Sequence, residues 1–260
     1  MLSALAANCL DKLARVFQAF RIMKTRIPLL LITFALVCFT SFQNTQAVSP
    51  PPDGGYAGDN TAEGEDALFN LNTGRYNTAV GFAALFSNTT GNFNTAIGTA
   101  TLLANTGEEN TATGAGALLF NTTGRENTAV GAFALIENRD GFDNTAVGDR
   151  ALESNTSGVS NIAIGALAMQ ANTSSLFSVA VGVGALMANQ TTGNTAVGHL
   201  ALSSNTTGSE NTAVGYQAGS ALTTGDSNID IGNAGVAGES NTIRIGTQEL
   251  LLTRPRANSV

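Results

Sequence analysis

The sequence has no tryptophan, one histidine and two cysteines, and only 12% of its residues are charged. Each shortage removes a class of function. Both cysteines, Cys9 and Cys38, precede Ala47, so residues 48–260 have no thiol for a disulfide or a cysteine metal site. The lone histidine, His199, has no partner at a ligand or triad spacing and reads as a surface or corner residue. After Ala47 lysine is missing. Seven arginines less 18 acids (the 19 of the whole chain less Asp11) leave a net charge of −11. That balance argues against nucleic acid or an anionic membrane surface as partner. Serines such as Ser87, Ser154 and Ser203 lie in no glycine-flanked elbow. The string Gly114-Ala115-Gly116 leads into no Gly-Lys-Ser/Thr, and the nine-residue calcium repeat with its fixed aspartate is missing. The expectation is a non-enzyme with no catalytic residue, cofactor or metal. What remains is glycine and small residues in excess, which suits closely stacked backbone better than a core of large side chains.

The excess is organised as a repeat. The string NTAVGFAALFSNTTG, residues 77–91, recurs in similar form from Asn60, Asn94, Asn110, Asn127, Asn144, Asn161, Ser178, Asn194, Asn211 and Asn228, with a shortened copy at Asn241. Neighbouring starts are 16 or 17 residues apart, except for a last step of 13. One such unit cannot bury a core by itself, so the copies must stack. Each copy keeps a glycine: Gly64, Gly81, Gly98, Gly114, Gly131, Gly148, Gly165, Gly182, Gly198, Gly215, Gly232 and Gly246. Before it stand β-branched residues two apart, such as Thr145 and Val147 or Ile162 and Ile164. That pattern predicts a short strand with both side chains on one face, read as the inward one. A second apolar group follows, such as Ala84-Leu85 or Ala117-Leu118, then a corner such as Asn88-Thr89-Thr90-Gly91. Each copy thus predicts two short strands and two corners. The whole predicts an all-β parallel β-solenoid, or β-roll, of about twelve rungs.

Between the β-branched positions runs a column of alanines: Ala79, Ala96, Ala112, Ala129, Ala146, Ala163, Ala180, Ala196 and Ala213, followed by Asp230 and Arg244. Strand alternation puts this column on the opposite, outward face. Small residues repeated along an outer stripe point to another chain packed closely against it; the alternative is one harmless alanine copied with each repeat.

The NTAVG and NIAIG strings, each followed by a small-apolar pair, resemble the head repeats of trimeric autotransporter adhesins. The longer unit with its NTTG corner and the ending NIDIGNAGVAGESNTIRIGTQ, residues 228–248, are similar to bacterial repeat proteins often joined to an endosialidase-type intramolecular chaperone domain. The resemblance spans residues 60–248. It implies a left-handed parallel β-roll and a homotrimer, with the alanine column as the expected trimer interface; an adhesin-like role would mean multivalent binding of a host or matrix protein or glycan. The expected chaperone domain does not follow, and the tail at 249–260 does not resemble the family.

Residues 1–22 read as an upstream extension or a start assigned too early. Residues 23–47 have the layout of a signal peptide: Lys24 and Arg26, an apolar run from Ile27 to Phe42, then Thr45-Gln46-Ala47. A secreted or cell-surface location follows, with membrane contact only through that segment before cleavage. Residues 48–59 form a Pro/Gly linker, and residues 60–248 form the repeat domain. Glu63 gives the first rung the polar character of a cap. Glu109, Glu126 and Asp143 share one position in three successive rungs, a solvated ladder or a place for bridging calcium. Sequons at Asn88, Asn121, Asn155, Asn172, Asn189 and Asn205 follow from the repeated corner. Corner threonines such as Thr89-Thr90 are adjacent, so an extended segment would point them to opposite faces, unlike a flat ice-binding ladder. The functional expectation is an exported adhesin-like fibre module. The alternative is a purely structural shaft that displays another domain.

Overall fold

The computed structural model describes residues 57–246. The expected signal peptide, most of the linker and the tail lie outside the described residues. Twelve strands of three residues each form one parallel sheet in strictly sequential order. They are β1 Thr61–Glu63, β2 Thr78–Val80, β3 Thr95–Ile97, β4 Thr111–Thr113, β5 Thr128–Val130, β6 Thr145–Val147, β7 Ile162–Ile164, β8 Val179–Val181, β9 Thr195–Val197, β10 Thr212–Val214, β11 Ile229–Ile231 and β12 Ile243–Ile245. Each pairs in register with its successor, so Ala129 lies beside Ala146 and Ala146 beside Ala163. The fold is a β-solenoid of about eleven turns.

The register places like on like, and the glycine after each strand shows how tightly. A Cβ added to Gly148 would lie 2.5 Å from the carbonyl carbon of Gly165 in the next turn. Gly148 also has a φ of 138°, outside the reach of an L side chain. The nine glycines from Gly81 to Gly215 in this column all have φ between 126° and 140°.

Each turn contains one strand, not the expected two. The apolar pair after the glycine is a bent arc whose backbone alternates in hand, with positive φ at Ala83 (54°) and Leu85 (53°). The reason is that Ala84 and Leu85 are both fully buried, and adjacent side chains of a strand would point to opposite faces. A left-handed residue turns both inward. That conformation costs a non-glycine residue about 1–2 kcal/mol, while burying a leucine contributes about 1.5–3 kcal/mol, so burial wins. The arc keeps its ladder regardless: Ala83 N–H donates to Glu65 O in the preceding turn at 2.9 Å, and Leu85 N–H to Thr101 O in the following one at 3.1 Å.

The two faces of the sheet are the reverse of the expectation. Every alanine of the column, from Ala79 to Ala213, is fully buried within a single chain, against the arc's Ala-Leu pairs. Val80, Ile97, Val130, Ile164 and their counterparts face outward. The interior of a 17-residue coil is narrow. From Ala79 to Ala213 the interior is filled by the leucines of the arc on one side and methyl groups on the other, both fully buried. The alanine column is therefore core, and it cannot be the trimer interface.

The terminal copy is also placed differently. Thr242, not Asn241, occupies the repeat-asparagine position, since Ile243 pairs with Ile229 fourteen residues earlier.

This packing separates two neighbouring residues of β6. Ala146→Val should overpack the coil and lower stability by about 1–3 kcal/mol. Val147→Thr, which copies Thr113 of β4, should change the stability of a single chain by under about 0.5 kcal/mol. Thermal unfolding followed by circular dichroism distinguishes them, and equal effects would contradict the assignment of faces.

Candidate interaction surface

The outward sheet face is the most continuous apolar feature among the described residues. Its two columns hold Thr or a β-branched apolar residue on one side and almost entirely Val or Ile on the other: Thr145 with Val147, Ile162 with Ile164, Val179 with Val181. Their side chains are half-buried to exposed, with Ile164 at 41% and Val80 at 37%. At about 4.8 Å per strand, eleven steps make a strip of roughly 50 Å by 10 Å, or about 500 Å². An apolar patch above a few hundred Å² marks an interaction site on a soluble chain. The next column, at the residue after each glycine, adds exposed Phe82, Val183 and Tyr216 but is interrupted by exposed Glu65, Asp149 and His199. Charge reaches the strand positions of this face only at Glu63 of β1, where the polar cap was expected.

The rigidity behind the face comes from two internal asparagine ladders. In the first, the repeat asparagines stack beside the strands. Asn144 Nδ2 donates to Asn127 Oδ1 at 3.1 Å and to the corner carbonyl of Gly158 at 2.7 Å. Its Oδ1 accepts both the backbone N–H and Nδ2 of Asn161, each at 3.1 Å. Ser178 continues the ladder by accepting the Asn194 N–H on its hydroxyl at 3.3 Å. The second ladder lines the opposite corner: Asn121, Asn138 and Asn155 each donate to the preceding asparagine at 2.7 Å. It breaks where a turn is one residue short, leaving Asn88 Oδ1 without a partner. It ends at Asn205, above which Leu222 takes the asparagine place.

The corner asparagines, such as Asn88 and Asn121, do not take the left-handed geometry expected of them. Positive φ occurs instead at the residue before each strand-side asparagine, with 57° at Glu126 and 56° at Asp143. The signal in the sequence was the near-invariance of Asn across copies while its neighbour varied from Tyr to Glu to Ser. All six sequon asparagines, Asn88, Asn121, Asn155, Asn172, Asn189 and Asn205, are fully buried and closed to modification in the folded chain.

The corners are less promising as sites. Thr106 and Thr122 direct their hydroxyls to the next turn's carbonyls, at 2.7 and 2.8 Å. A shallow hollow at Thr90, Gly91, Thr106, Glu108, Thr123 and Arg125 joins three such corners and holds no buried acid or base. His199 is exposed and stacks on Tyr216 with ring centres 5.6 Å apart. Glu126 and Asp143 do come together. A hydrogen bond and charge repulsion from Asp143 raise the Glu126 pKa above its ordinary value, with Arg125 opposing. Among the described residues no three His, Cys, Asp or Glu side chains converge to hold a metal ion.

Two measurements follow. Asn144→Ala removes the acceptor for two Asn161 donors and should cost about 3 kcal/mol in urea unfolding. Asn70→Ala, on the exposed side, should cost under about 0.5 kcal/mol. Asp143→Asn should lower the Glu126 pKa toward the ordinary glutamate value in an NMR carboxyl titration; no downward movement would remove Asp143 as the cause.

No protein-family model matches the chain, and comparison with curated proteins and with solved structures likewise returned no match.

Proposed function

We propose that this chain is an exported fibre module, a homotrimeric β-solenoid of adhesin-like character at the cell surface or in the secreted fraction. The observation that carries the reading is the half-exposed β-branched strip on a sheet whose other side is already a complete core. Three copies meeting around an axis through this face would remove the strip from water. Burying about 500 Å² of apolar surface per chain contributes roughly 10 kcal/mol, comparable with the cost of association. Assembly therefore depends on many rungs acting together, as the length of the strip allows. The trimer face proposed here is the β-branched strip, and the number three and the adhesive role rest on the resemblance of the repeats. Along such a fibre, weak contacts with a matrix protein or glycan would be multiplied by threefold repetition.

A second reading, a shaft that only holds another domain at a distance, is favoured by the corners. The hydroxyls of Thr106, Thr122, Thr156 and Thr206 satisfy the chain's own carbonyls, a structural use of the corner that needs no ligand.

Light scattering on the purified protein should give three times the mass of one chain. Ile164→Asp should yield a monomer whose circular dichroism keeps the solenoid signature. A monomeric parent at micromolar concentration would overturn the trimer. Binding to no member of a panel of matrix proteins and glycans, with the trimer intact, would leave the shaft.

A further inference from the structure

The alanine column ends in charge. Asp230 of β11 stands beside Ala213 on one side and Arg244 of β12 on the other. It is fully buried, and neither of its carboxylate oxygens has a hydrogen-bond partner. Its surroundings are backbone and hydrocarbon: a Cβ added to Gly235 would lie 2.7 Å from Asp230 Oδ2 and 3.0 Å from Leu222 Cγ. The charged groups acting on it are Glu239, in the loop between β11 and β12, and Arg244. Arg244 is already engaged. Its Nε donates to both Glu239 oxygens at 2.9 and 3.0 Å, and its Nη2 to Oε2 at 2.7 Å. Glu239 is held in turn by the Val236 N–H at 2.8 Å. Two acids thus share one base, and the geometry gives that base to Glu239.

The turn that carries this arrangement is built differently from the others. It spans fourteen residues from Gly232 to Gly246, against 16 or 17 elsewhere. The strand-side asparagine ladder stops below it. Thr242 N–H donates to Asn228 Oδ1 at 3.0 Å, but the Thr242 hydroxyl turns back to Ser240 O. Gly232 and Gly246 have φ of 61° and 73°, unlike the glycines of the stack. This turn has one neighbour among the described residues, so it can open while the rest stays closed.

We propose that the last turn, residues 232–246, is a proton latch, closed while Asp230 carries a proton and loosened when Asp230 ionises and competes with Glu239 for Arg244. A proton neutralises this carboxylate without needing a new protein partner. Burial first, and then the Glu239 charge, push the Asp230 pKa up to about 6, with Arg244 opposing. The closed turn therefore holds the proton to about pH 6, whereas a solvated aspartate loses it near pH 3.9. The stabilisation is full below the solvated value, falls as pH rises between the two, and is gone above about pH 6. The latch concerns the interior of one coil and does not depend on the trimer.

The test is hydrogen exchange on the full chain at pH 5 and pH 7.5, corrected for intrinsic rates, comparing peptides across 229–246 with peptides across 128–147. Opening of the last turn should increase about tenfold at the higher pH, while the central turns stay unchanged. Asp230→Asn, and Asp230→Ala as the residue that the preceding turns carry here, should remove the dependence on pH. Should Asp230→Asn misfold, Asp230→Ala supplies the same comparison. Equal opening of the parent at both pH values would overturn the latch. So would a tenfold change that persists in either variant, or an Asp230 carboxyl titrating near pH 4 by NMR.

Discussion

Stacking turns at the spacing of a parallel sheet makes each side chain's nearest neighbour its own copy, and the molecule depends on which residues tolerate that. Glycine does so where backbones touch, because a Cβ at Gly148 would collide with Gly165. Asparagine does so inside, because a primary amide is donor and acceptor at once and can repeat without limit along an axis. Asn127, Asn144 and Asn161 form such a chain with every member satisfied. A buried asparagine elsewhere would need a bespoke partner; here the next turn supplies it. Aliphatic side chains also tolerate self-stacking, which accounts for the leucines of the arc.

Carboxylates do not tolerate it, and the exceptions are instructive. On the surface, Glu126 next to Asp143 responds with a raised pKa and Arg125 close by. A charge enters the alanine column only at Asp230, which is buried, and at Arg244, which is partly exposed, where the strand-side amide ladder ends among the described residues. The rule that makes the middle of the solenoid uniform leaves its last turn free to differ. Shortened length, a stopped amide ladder and a buried acid occur together there.

The same economy of space shapes the exterior. Because the coil holds only methyl groups on its strand side from Ala79 to Ala213, the β-branched residues that form the strands well are turned outward. A regular apolar strip is thus a by-product of a narrow core, and self-association is one way to remove it from water. Fully apolar pairs occur in mid-strip, Ile162 with Ile164 and Val179 with Val181, and again at its C-terminal end, Ile229 with Ile231 and Ile243 with Ile245.

Much of the fold was legible in the sequence because a repeat of near-constant length sets the register: Asn144 and Asn161, seventeen residues apart, can stack only with everything between them in step. The short strand before each glycine, the polar first rung and the odd last one followed from residue types alone. Strand alternation also separated Ala146 from Val147 correctly. It could not say which of them was inside, because a period of two defines two faces without ranking them, and β-branched residues suit either. That was decided in three dimensions, where Leu152 and its neighbours are fully buried against the methyl groups of Ala146 and Ala163. The bent arc was hidden for a related reason. Ala84 and Leu85 are adjacent in sequence and both buried, which only a left-handed backbone at leucine can achieve, and leucine carries no local signal for that conformation. The amide ladders and the isolation of Asp230 likewise exist only between turns, so they belong to the tertiary structure and not to any single copy of the repeat.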